Sequence, residues 1–123
     1  MGAVRSYRDL IVWQKSLGLV EQVYKYTAQF PKEEIYGLTS QMRRASVSVP
    51  ANKAEGQARN TTGEFKQQLG VAKGSLAELE TLIFLSTKLN YLTEGDSENL
   101  LTNCTEVSKL LYGLHKSLPF RSH

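Results

Sequence analysis

Apolar residues recur along this chain in alternating steps of three and four, in four separate stretches. That spacing places side chains on one face of an α-helix. Leu10, Trp13, Leu17, Val20 and Tyr24 form the first seam and predict a helix over about 7–29, capped by Ser6 with Asp9 three residues on, and closed before Phe30-Pro31. Leu38, Met42, Ala45, Val49, Asn52 and Gly56 form the second, over about 32–57. Pro50 lies inside it, where its ring removes an amide donor and crowds the preceding turn, so a kink or a split is expected. Thr61 and Glu64, at capping-box spacing, open a third helix over about 62–90, whose seam is Phe65, Leu69, Ala72, Leu76, Leu79 and Ile83. Thr93-Glu94-Gly95-Asp96 turns the chain into a fourth, over about 94–118, with Leu101, Cys104, Val107, Leu111, Leu114 and Leu118 inward and Pro119 beyond its end. No run alternates with the period of two that a strand requires. Four amphipathic helices with short connections predict an all-α, antiparallel up-down-up-down four-helix bundle, one domain over residues 1–123.

The first helix carries a second apolar stripe, Val12, Leu19, Val23, Tyr26 and Phe30, turned by roughly 130° from its seam at 100° per residue. A surface helix in a monomeric bundle needs one such stripe. Either the core face is wide, or the N-terminal tail covers the outer stripe, or it is an interface between copies. The last is the expectation adopted, because a long exposed apolar stripe marks an interaction surface.

Composition narrows the class. With 123 residues, 41% apolar and 22% charged, the chain has the make-up of a small globular domain. Its uncharged apolar runs, such as Leu82-Ile83-Phe84-Leu85, stay far below the ~20 residues of a membrane span, and the N-terminus lacks a secretory apolar region. A cytoplasmic location without membrane contact is expected. The lone Cys104 falls among leucines and reads as a core residue. The net charge of +3 is unevenly spread: residues 1–60 hold nine basic and five acidic side chains, residues 61–123 six and seven. Arg43 and Arg44 project away from the second seam and are expected to be solvated, Arg59 follows in the next loop, and Lys66 and Lys73 stand one heptad apart beside Gly70 and Ala77. Five such cations suit a phosphodiester backbone, bound without base reading.

Catalytic patterns do not emerge. His115 and His123 lack a carboxylate three residues upstream, the spacing of di-iron bundles. Glu33/Glu34 suit the positive end of a helix, and Glu78/Glu80 a solvated surface. No metal, cofactor or enzymatic activity is expected. Asn52, polar on a buried stripe, is expected to bond across the Pro50 break or to another helix.

The run Gln41-Met42-Arg43-Arg44-Ala45-Ser46-Val47-Ser48-Val49-Pro50-Ala51-Asn52-Lys53-Ala54-Glu55-Gly56 resembles the signature of the four-helix bundle proteins encoded in intervening sequences of bacterial 23S ribosomal RNA genes. Tyr7 to Lys15, Phe30 to Leu38 and Ala72 to Glu80 extend the resemblance over most of the chain, in order. It implies a left-handed antiparallel bundle that assembles into a homopentamer without enzymatic activity. Relatives include accessory proteins of diversity-generating retroelements, whose basic surface engages nucleic acid and a reverse transcriptase. The partners implied are further copies of the chain, RNA or DNA, and a protein such as a reverse transcriptase. The alternative function is a protein-interaction scaffold or accessory subunit that touches no nucleic acid. Arg43 and Arg44 occupy the signature's basic pair. Lys53 stands where the family commonly has an aliphatic residue, so either its stem packs while its ammonium reaches water, or the local packing differs.

Overall fold

A computed structural model describes residues 7–118 of the chain. It contains four α-helices, α1 (Tyr7–Thr27), α2 (Leu38–Gln57), α3 (Thr62–Lys88) and α4 (Glu94–Ser117), with a 3₁₀ turn at Lys32–Glu34 before α2. Contacts join α1 to α2, α2 to α3, α3 to α4 and α4 to α1, and none crosses a diagonal among the described residues. The helices therefore stand in a square, in chain order. Neighbours run antiparallel: Met42 meets Ser86 while Gly56 faces Phe65, and Tyr26 meets Asn99 while Lys15 pairs with Glu106. The expected Ser6 cap and the Pro119 stop lie outside the described residues, as does His123.

The seam of α3 is buried along its whole length, and so is that of α2 except for half-buried Asn52. In α4 the core takes Leu100 as well as Cys104, Val107, Leu111 and Leu114, leaving Leu101 and Leu118 at its edge. Thr61 and Glu64 form the reciprocal capping box at the start of α3, and the Thr93 hydroxyl accepts the Asp96 amide at the start of α4. The stretch 32–57 is not one helix. Glu34 ends the 3₁₀ turn and its carboxylate accepts the Leu38 amide, which supplies one of the partners that α2's free N-terminal amides need.

Pro50 does not split α2. Asn52 reaches back past it, its Nδ2 donating to the Ser48 carbonyl and hydroxyl at 2.8 Å each. Ser48 in turn shares a 2.8 Å hydrogen bond with Ser75, tying α2 to α3. These helices also approach closely at Gly56, where an added Cβ would lie 2.8 Å from the Gln68 Cβ and 2.9 Å from the Phe65 ring. The signature's final glycine is thus a packing requirement.

The two stripes of α1 exchange the roles that the sequence suggested. Val12, Leu19 and Val23 are at most 1% exposed, Phe30 is buried, and Tyr26 packs against them, so the stripe expected between copies lies in the chain's own core. The expected core seam points outward: Trp13, Leu17 and Tyr24 are each about two-fifths exposed, with Leu10 and Val20 half-buried. The reason lies in two polar residues on the inward stripe, Ser16 and Thr27. Their hydroxyls donate to the Trp13 and Val23 carbonyls of α1 itself, so their burial leaves no donor unmet.

Candidate nucleic-acid interface

The five expected cations divide between the two ends of the bundle and differ in how they are held. Arg43, near the start of α2, is half-buried and engaged rather than free in solvent. Its Nε donates to the Thr27 hydroxyl at 2.9 Å, a terminal nitrogen reaches the Tyr24 carbonyl, and its guanidinium lies 4.5 Å from the Tyr24 ring centroid. It clamps α2 to the end of α1, a structural use of the planar fork and its cation–π attraction. Arg44 beside it is exposed. Arg59, just past α2, pairs with Glu55 at 2.7 Å, which cancels much of its charge toward a ligand.

Lys66 and Lys73 belong to a different surface, at the opposite end from Arg43. One heptad places them about 10 Å apart along α3. Both face α4: the Lys73 ammonium lies 5.8 Å from the Tyr112 ring centroid, and His115 is lowered from its usual pKa by burial and then by Lys73 and Lys66. Lys109 and Lys116 are exposed on α4, where they and Gly113 line a shallow hollow. No carboxylate occurs in α3 between Glu64 and Glu78, nor in α4 after Glu106. The C-terminal half of α4 and the N-terminal half of α3, packed side by side, thus bring four lysines together on carboxylate-free stretches of sequence, with His115 beside them and, its pKa lowered, uncharged at neutral pH. Sequence reasoning had taken only Lys66 and Lys73; the acid-free intervals were the available signal for the rest, and their adjacency comes from the fold.

The opposite side of the square, between α1 and α2, is apolar. Leu10, Trp13, Ala54 and Ala58 line a hollow at one end, with Tyr24, Ile35, Arg43 and Val47 at the other. Lys53 forms the floor of the first hollow together with Asp9 and Gln57. Its ammonium does not reach water: the residue is 3% exposed, and its Nζ donates to the Gln57 side-chain oxygen at 2.6 Å. Burial lowers its pKa, against a smaller upward pull from Asp9. On α3, Val71, Leu85 and Leu89 are nearly half exposed, with exposed Glu78 midway between the first two.

The family model for the 23S rRNA-intervening sequence protein matches residues 8–113. The chain belongs to this family. A crystal structure of a protein of unknown function from the S23 ribosomal protein family of Bacteroides thetaiotaomicron superposes with a TM-score of 0.82 at 24% identity, covering 89% of this chain and 99% of the other. At that identity the likeness speaks for the bundle alone. No curated protein matches the chain at a significant level. Among the described residues, no helix is long and apolar enough to cross a membrane, and no three His, Cys, Asp or Glu side chains gather to hold a metal ion.

Proposed function

We propose that this family member is a non-catalytic, homo-oligomeric bundle that binds the nucleic-acid backbone electrostatically. The observation that carries the reading is the gathering of Lys66, Lys73, Lys109 and Lys116 on carboxylate-free stretches of α3 and α4. Clustered cations attract phosphates without reading bases, and such binding weakens steeply with salt. Arg44 adds a separate exposed charge, whereas Arg43 and Arg59 leave the expected set because Thr27, Tyr24 and Glu55 already occupy them.

Self-assembly is supported by two apolar surfaces on different sides of the square, one on α1/α2 around Trp13 and Leu17, the other on α3 around Leu85 and Leu89. A head-to-tail contact between unlike surfaces closes into a ring when the rotation from copy to copy divides a full turn, five copies being the number that the family resemblance implies. In a ring built this way the lysine face of α3/α4 stays clear of the α1/α2 contact.

Two measurements test the proposal. Light scattering at micromolar concentration is expected to report several copies, reduced to monomer by Trp13→Glu or Leu85→Glu; a monomeric wild-type protein refutes the assembly. Binding of an RNA or DNA strand is expected to weaken as salt rises from ~50 to ~200 mM, with a shallower salt slope in Lys66→Ala/Lys73→Ala. Salt-insensitive binding, or none, refutes the electrostatic mechanism, and no binding with intact assembly favours the scaffold reading.

A further inference from the structure

Tyr112 stands out among the side chains of the lysine face. It is a large aromatic residue, 58% exposed, on the solvent side of α4, outside the core cluster. Cations stand around it: Lys73 approaches its ring from α3, while Lys109 and Lys116 lie three residues before and four after it, on the same side of α4.

An exposed ring flanked by ammonium groups offers two kinds of contact side by side. Ammonium groups attract phosphate oxygens, and a flat π surface stacks on any base, whatever its identity. In a duplex the base faces are occupied by their neighbours, so the ring would have no partner except at an end. A single strand presents those faces freely.

We infer that the strand held at this face is single-stranded, with a base stacked on Tyr112 and its flanking phosphates on Lys73 of α3 and on Lys109 and Lys116 of α4. The inference rests on the backbone-binding reading and adds to it the class of nucleic acid. It also assigns the ring a task that electrostatics alone does not give it.

Fluorescence anisotropy with three probes tests it: a labelled strand of about 12 nucleotides, within the ~4–16 that one small domain covers, the same strand as a duplex, and an abasic strand of equal length. Wild-type protein is expected to bind the intact strand about ten-fold tighter than the abasic one, the effect of one stacked base. Tyr112→Ala is expected to erase that difference while leaving duplex and abasic binding unchanged, and Tyr112→Phe to retain it. Lys66→Ala/Lys73→Ala is expected to weaken all three. If wild type binds intact and abasic strands equally, or Tyr112→Ala binds the intact strand like wild type, stacking is overturned while backbone binding stands. If wild type binds none of the probes, both readings fall together.

Discussion

Replacing Gly56 by alanine tests the α2/α3 contact directly, because two opposing effects of the same methyl group can be sized from the structure. Within a helix the change from glycine to alanine gains roughly 1 kcal/mol of intrinsic propensity. At this position the new Cβ would stand 2.8 Å from the Gln68 Cβ and 2.9 Å from the Phe65 ring, against the ~3.5–4.0 Å at which carbon atoms attract. Phe65 is buried, so its ring cannot swing into solvent, and the helices must separate by several tenths of an ångström. Overpacking of this kind costs about 1–3 kcal/mol, and the loosened Ser48–Ser75 bond nearby adds to it. The net expectation is a loss of about 1–2 kcal/mol. Gly70 and Gly74, on the same helix pair, have nothing within 4 Å of an added Cβ, so Gly70→Ala and Gly74→Ala are expected to raise stability by up to ~1 kcal/mol. Urea unfolding at one fixed protein concentration reads all three variants. If Gly56→Ala shifts the midpoint upward with the other two, the close approach is not what keeps glycine there.

Three further outcomes follow from buried or engaged side chains. Lys53 has its pKa lowered by burial, so between that value and 10.5 the unfolded chain holds the proton more readily; stability should rise with pH through that window, and Lys53→Met should remove this rise from urea midpoints. The Cys104 thiol is buried and pushed up to about 12 by burial and by Glu80, so a thiol reagent at neutral pH should label it only at the rate of opening, and at once in denaturant; immediate labelling of native protein would contradict its placement. Arg43→Ala should cost about 1–2 kcal/mol of stability through loss of its bonds to Thr27 and Tyr24, yet leave nucleic-acid affinity within about two-fold, unlike the Lys66/Lys73 pair.

The helices α3 and α4 were legible because their inward positions are nearly all large and apolar. In α1 the inward stripe mixes Val12, Leu19 and Val23 with Ser16 and Thr27, and a hydroxyl that bonds its own helix counts as polar in a pattern although it is satisfied in a core. Ser46 is buried on the same terms, bonded to the Arg43 carbonyl of its own helix, whereas Ser86 is satisfied across helices by the Met42 sulfur. Meanwhile Trp13, Leu17 and Tyr24 outweigh the true core in apolar size, which drew the seam to the wrong side. Lys53 was legible as a departure, but its neighbour Asp9 comes from α1 and only the fold brings the two together. The candidate interface was half legible for the same reason: spacing along α3 gave Lys66 and Lys73, while the α4 lysines and Tyr112 join them across a helix boundary.

The seam between α1 and α4 carries three polar pairs, Lys15 with Glu106, Gln22 with Asn103 and Tyr26 with Asn99. Leucine and valine rows tolerate sliding, since one turn of helix, about 5.4 Å, brings a similar apolar surface opposite. The polar pairs do not, because a one-turn slip would part all three at once. Each exposed pair adds little stability, about 1 kcal/mol or less. Their consequence is register: the apolar rows make α4 close the square, and the polar pairs fix the height at which it stops, which in turn sets Tyr112 level with Lys73.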